Sequence, residues 1–371
     1  MISSVKQWAS QRAYRTAFVA AAAALTASCA GRQRADTVGP VVYPPPPDTA
    51  RIQYLTSISS ELDLGRSRSA LDRFLGTKTG IKGLVKPYGL AVYRNRLLVC
   101  DEDNFGVDIV DLDRATITIF RPTDPQGLRR PVNCFVDRDG TLYVTDLGSN
   151  RVAVYDSSLA FRGFFGDEDD GQPADVFVAG ERVYVSSLAG MRRIRVYDRA
   201  TRQLLHAFPD APPGDSTGLA APANLFVAGD TVYVSDLLKQ RVLVYTTDGR
   251  YLRTIGRPGM GPATFQRPKG VARDREGLVY VVDAAFENVQ VFSPQGRLLM
   301  FFGGPGSGPG AMLLPAKVVL DYDHLDRFRQ YVRPGAELKY LIFVTNQFGA
   351  SKVAVYGFIG PSDYMVSAAG R

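Results

Sequence analysis

The chain has 371 residues, 45% of them hydrophobic, enough to bury one large core or two ordinary ones. Its net charge of +7 is modest and its Lys and Arg residues are spread along the chain, which argues against the basic footprint of a nucleic-acid binder. Two His are present, His206 and His324, too few for a multi-histidine zinc centre.

Residues 1–28 have a basic start (Lys6, Arg12, Arg15), no acidic residue, and an apolar run from Ala17 to Ala27 that is too short to span a bilayer. The pattern predicts an export signal, whose removal lowers the net charge from +7 to +4. The segment ends in LTASC, which resembles a lipobox with Cys29 as the lipid-modified first residue; ordinary cleavage near Ala27 or Ala30 is the alternative. Residues 29–50 include four consecutive prolines, Pro44 to Pro47, which favour extended polyproline II and predict a tether. Ser69 to Leu75 (SALDRFL) sets Ala70, Leu71, Phe74 and Leu75 on one face of a short helix.

From Pro87 the chain repeats. A Pro two residues before an apolar strand occurs at Pro87, Pro131, Pro173, Pro222, Pro268 and Pro315, with spacings of 44, 42, 49, 46 and 47. Each copy then has a strand resembling LYVTD, ending at Asp101, Asp146, Ser187, Asp236, Asp283 and Asn346. A VxVY-like strand follows and ends at Val110, Tyr155, Tyr197, Tyr245, Phe292 and Tyr356. The period is that of a propeller blade. Strands apolar on both faces, as at Leu142-Tyr143-Val144, with turns such as Arg138-Asp139-Gly140 and Thr247-Asp248-Gly249, describe a small antiparallel sheet packed between like sheets. Six such sheets closed into a ring remove the long open edge. The last copy lacks an outer strand after Tyr356, and Arg51 to Ser57 (RIQYLTS) resembles the outer strand RLLMFF at Arg297 to Phe302. It is expected to pair beside Val353 to Tyr356 and complete blade 6.

The fold class expected is therefore all-β, a six-bladed β-propeller of four-stranded blades over residues 51–360, closed by the strand at about 51–57. Blade 6 carries an insertion at about 324–338, where Leu325, Phe328 and Val332 recur at helical spacing, and residues 361–371 are a polar tail. The insertion is expected either to cap the lower opening or to meet a partner.

The pattern P-x-G-[LV]-A-V…VYV-x-D-x-x-x-x-R-V-x-V-[FY] resembles the NHL repeat, and the chain over residues 43 to 359 is similar to bacterial lipoproteins with a six-bladed NHL propeller. A WD-type signature is absent from the blades, the one Trp being Trp8. The resemblance implies an exported protein held by lipid on Cys29, with Ala30 after it pointing to the outer membrane sooner than the inner. It implies a monomeric propeller with an envelope protein partner, touching the membrane through the anchor alone and binding no nucleic acid.

Propellers usually bind at the channel mouth, lined by the beginnings of the inner strands. The third residue of the Pro-x-Gly register reads Gly89, Asn133, Asp175, Asn224, Gly270 and Lys317, polar in four blades. With Tyr88 and Lys269, one position earlier in blades 1 and 5, Asn133, Asp175, Asn224 and Lys317 form the candidate ligand-binding set; alternatively the polar groups bind loop backbone or channel water. Asn133, Asp175 and Asn224 are oxygen donors on successive blades, which suits calcium or another divalent cation. Lactonases of the gluconolactonase type hold a divalent ion in the channel with a similar set, and by that likeness a metal-dependent hydrolase or lactonase is the alternative function. Lys317 and the lack of a Glu in blade 1 oppose it. The leading expectation is a binding scaffold with neither catalytic residues nor a cofactor.

Three further features read as architecture. The Asp series at strand ends accepts hydrogen bonds from following loops. The acidic loops at Asp101 to Asn104 and Asp167 to Asp170 are solvated faces or calcium chelators. Cys100 and Cys134 are buried small hydrophobes or, in an exported chain, a disulfide.

Overall fold

The structure is a computed structural model that describes residues 39–361, apart from 68–73, 75–79, 124–126, 190–191 and 213. The chain divides into Met1–Gly39 and Pro40–Arg371. The first unit lies outside the described residues except for Gly39, so the export signal and Cys29 are outside them, as is the tail beyond 361. The helix expected over Ser69–Leu75 is outside them too, save for Phe74.

The rest is six antiparallel blades. Each of the six predicted prolines is the first residue of an inner strand: Pro87–Tyr93, Pro131–Val136, Pro173–Ala179, Pro222–Ala228, Pro268–Arg273 and Pro315–Asp321. The inner strand pairs with the strand ending in Asp or its equivalent, then the third and outer strands follow in simple meander order in blades 1 to 5. Proline is tolerated there because the first residue of an edge strand has no ladder N–H to lose. Six apolar clusters fill the seams, one between each pair of neighbouring blades; Val144 and Cys134 face Leu98 and Cys100 across the first seam, for example. A sheet that buries both faces against neighbours must be apolar on both, which explains strands such as VYVVD.

Blade 6 closes the ring as expected. Ile52–Ile58 pairs with Val353–Pro361, with Tyr54 opposite Tyr356. The expectation for the proline run needs correction. Val42–Tyr43 adds a fifth strand outside Ile52–Ile58, pairing Val42 with Gln53 and Tyr43 with Ile52. The prolines thus form the turn of a hairpin, and the part of the expected 29–50 tether from Val42 onward belongs to the folded domain. Tyr43 packs on Phe302 and Tyr356, which anchors the hairpin.

The insertion also differs from expectation. It occupies the connection between Asp321 and Ala336 and contains one short 3-10 turn, Arg329–Tyr331. Phe328 is buried and meets Phe343 edge-on at 5.9 Å, while Leu325 and Val332 pack on the same cluster. The Gln53 amide donates to the Tyr331 carbonyl at 2.7 Å and accepts from the Arg333 N–H at 3.0 Å. These contacts seal the seam between blades 6 and 1. At the start of this connection Tyr322 lines the lower channel, whereas residues 324–338 are not part of that lining.

Candidate functional site

The site begins with a kink repeated in all six inner strands. Directly after each Pro the register against the second strand slips: between Pro131 and Asn133, Pro173 and Asp175, Pro222 and Asn224, and, over one more residue, between Pro87 and Leu90, Pro268 and Val271, and Pro315 and Val318. A bulge leaves one residue out of the ladder and re-aims its side chain. Here it turns the third residue toward the axis.

Beside the bulge the backbone N–H of that third residue needs a partner. In four blades a hydroxyl from the second strand supplies it. Asn133 N–H donates to Thr145 Oγ1 at 3.0 Å, Asp175 N–H to Ser186 Oγ at 3.1 Å, Asn224 N–H to Ser235 Oγ at 3.1 Å and Lys317 N–H to Thr345 Oγ1 at 2.9 Å. Sequence reasoning missed these four residues, although a signal was there. The residue before the strand-end Asp or its equivalent is Thr or Ser in these blades, and Cys100 or Val282 in the two blades whose third residue is Gly. Those glycines answer a close approach: a Cβ on Gly89 would lie 2.5 Å from Asn133 Cα, and one on Gly270 2.7 Å from Val318 N.

The four polar third residues meet inside the channel, fully or almost fully buried. Lys317 on blade 6 reaches across to blade 3, where its Nζ donates to Asp175 Oδ2 at 2.6 Å and, at 3.3 Å, to Asn224 Oδ1. Asn133 Nδ2 donates to the Ala174 carbonyl at 2.7 Å and to Asn224 Oδ1 at 3.4 Å. Asp175 also accepts from the N–H groups of Val176 and Leu225, both at 3.0 Å. Burial raises the Asp175 carboxyl above its ordinary range, with Lys317 and those N–H groups pulling it back. The set is a bridge across the channel.

Tyr88 and Lys269 sit one residue higher. Lys269 is 2% exposed, and its Nζ lies 4.6 Å from the centre of the Tyr88 ring. Among the described residues no carboxylate pairs with it. Burial, and then the charge of Arg267, push its amine down to about 7, with Lys86 adding and Glu102 opposing. Burial lifts the Tyr88 hydroxyl above the ordinary phenol range. Around them Arg129, Arg130 and Arg267 are exposed, and Lys86 pairs with Glu102 at 2.7 Å.

The residues proposed as metal ligands do not fit a divalent cation. Calcium wants six to eight oxygens with net negative charge. Here one carboxylate and two amides converge, and an ammonium group stands 2.6 Å from that carboxylate. The strand-end acids serve architecture, and more widely than expected. Asp236, for instance, accepts from Leu238 and Lys239 in the following loop and from Ala220 and Ala221 ahead of the inner strand. Asp101, in the first acidic loop, is engaged in the same way by Val85, Lys86, Asp103 and Asn104. In the second, Glu168 pairs with Arg151. Cys100 and Cys134 are both free thiols in the seam between blades 1 and 2.

Residues 214–277 match the profile of a family described as a 6-bladed β-propeller. No curated protein matches by sequence. Similar solved structures include a protein of unknown function from Bacteroides thetaiotaomicron, 16% identical, covering 84% of this chain and 76% of that one, with a TM-score of 0.56. A gluconolactonase from Xanthomonas campestris is 13% identical over 83% of this chain and 89% of its own, with a TM-score of 0.55. An auxiliary nutrient binding protein from Bacteroides thetaiotaomicron is 14% identical over 75% and 69%, with a TM-score of 0.54. At such identities the likeness is one of fold: the chain is a β-propeller, and its structural neighbours include both enzymes and binding proteins.

Proposed function

We propose that this protein is a non-catalytic binding propeller of the NHL type, exported and held in the bacterial envelope by lipid on Cys29, with the outer membrane as its site. The observation that carries the reading is the Lys317–Asp175 bridge. It neutralises the ring's one carboxylate from within, leaving neither a cation site nor a free base at the position where a channel hydrolase would work. The binding surface is then the upper face, where the inner strands begin. Four of its loops expose large apolar side chains, Phe105, Leu238, Met260 and Phe348, around a mouth rimmed by Arg129, Arg130 and Arg267. Exposed apolar groups beside a basic rim suit a protein partner with an acidic, partly apolar surface.

The test uses the full chain on membranes. Changing Phe105, Leu238, Met260 and Phe348 together to Ser is expected to abolish cross-linking to the envelope partner without lowering the melting temperature. Metal analysis is expected to find no stoichiometric calcium, and EDTA to leave the melting temperature unchanged. A bound ion lost on Asn224→Ala would replace this reading with the hydrolase.

A further inference from the structure

Below the Lys317–Asp175 bridge the channel widens into a cavity of about 270 Å³. Its wall is lopsided. At the fifth residue of the inner strands, blades 2, 3 and 4 carry Phe135, Phe177 and Phe226, whose rings meet at 4.8 and 5.0 Å. Blades 5, 6 and 1 carry Ala272, Val319 and Ala91 at the same level. Three phenyl rings therefore face three small side chains, and the space between them is the cavity.

The polar groups of the wall are engaged, with one exception. Lys317 Nζ is held by Asp175 and Asn224, and the Cys134 thiol donates to the Leu98 carbonyl at 3.4 Å. Arg273, the sixth residue of the blade 5 strand, lines the cavity on the side away from the bridge. Among the described residues its guanidinium has no hydrogen-bond or ion-pair partner. The acids that begin the turns at that end are taken: Asp137 by Arg199 at 2.6 Å, Asp274 by the Tyr340 hydroxyl at 2.9 Å and Asp321 by His324 at 2.9 Å.

We infer that the lower channel is a ligand site for a small monoanion with an apolar body, an aryl-alkyl carboxylate, whose ring lies against Phe135, Phe177 and Phe226 and whose carboxylate meets Arg273. The volume exceeds the ~150 Å³ of an apolar cavity that takes up benzene, room for one ring and a short chain. Phenyl edges suit an aromatic guest, and a guanidinium fork suits a carboxylate. The Lys317 bridge is the roof, so the site is separate from the upper face and does not rest on the binding partner proposed there.

The experiment is calorimetric titration of the full chain with 3-phenylpropanoate and, separately, its neutral amide. One saturable site is expected for the acid, with the amide about tenfold weaker or more, the loss of one charge-assisted contact. Arg273→Gln should weaken the acid to the level of the amide. Ala272→Leu, which fills the cavity, should abolish both; if it fails to fold, Val319→Phe fills the same space from blade 6. Tyr88→Ala with Lys269→Met should leave the affinity unchanged. Absence of saturable binding at millimolar concentration overturns the inference. So does binding that survives the filling variants, or binding lost on the Tyr88/Lys269 variant, which would place it at the mouth.

Discussion

The upper and lower levels of the channel are two residues apart along each inner strand, and they treat the same asymmetry in opposite ways. At both levels blades 2, 3 and 4 bring the substantial side chains: Asn133, Asp175 and Asn224 above, Phe135, Phe177 and Phe226 below. At both levels blades 1 and 5 bring Gly or Ala. Above, the gap is crossed by Lys317; below, it stays open as the cavity. The difference follows from what each surface tolerates. A buried carboxylate without a partner is costly, so the polar level must close. An unfilled apolar surface forfeits only dispersion contacts, so the lower level remains hollow at a modest penalty.

The largest expected effect tests the closed level. Lys317→Met should destabilise the protein by about 3 to 5 kcal/mol in urea unfolding, since it strands Asp175 in the interior. Adding Asp175→Asn should recover at least half of that loss. A cost for the single variant below about 1 kcal/mol would mean that water reaches the ring, and the contrast between the levels would fail. Next comes the open level. Phe177→Ala should cost about 2 to 3 kcal/mol by the same measurement, less than a fully packed Phe because one side of the ring already borders empty space.

Lys269 sharpens the comparison through pH. Its native amine titrates at about 7 against 10.5 in the unfolded chain, so the unfolded state holds the extra proton between those values. Stability therefore rises with pH across that window, and the penalty is fully present below pH 7. Lys269→Met should raise stability at pH 6 by up to about 5 kcal/mol, at ~1.36 kcal/mol per pKa unit, an advantage that fades toward pH 10. A constant difference between the two proteins from pH 6 to pH 10 would mean that the amine is solvated and the mouth is wetter than its burial implies.

Much of the ring was legible because it rests on local regularities. Each Pro lies at a strand start, each Asp at a strand end, and the apolar strand near Tyr54 had one vacant edge to fill. The proline run misled because local propensity favours extension, whereas Val42 and Tyr43 gain a ladder with a strand that the prolines themselves turn toward. The inward aim of the third residues was readable. Their mutual engagement was not, since whether a lysine spans the axis depends on the ring's diameter. The cavity was hidden for another reason: along a strand buried on both faces, Ala and Phe both read as apolar, and only their placement around the axis separates a filled channel from a hollow one.

Thr145 offers the smallest and most local test. Its Oγ1 accepts the Asn133 N–H at 3.0 Å, directly after the bulge that skips Val132. Blade 5 shows the alternative, with Val282 at the corresponding place and Gly270 as its third residue. Thr145→Val keeps the shape and removes the acceptor, so it should cost about 1 kcal/mol, the lower end for a buried donor left unpaired. Hydrogen exchange at the Asn133 amide should quicken with it, because the bond lost is the one that holds that amide. If the amide exchanges at the original rate, the hydroxyl does not hold the bulge. The match between Ser or Thr in the second strand and a polar third residue would then need a cause outside the channel's closed level.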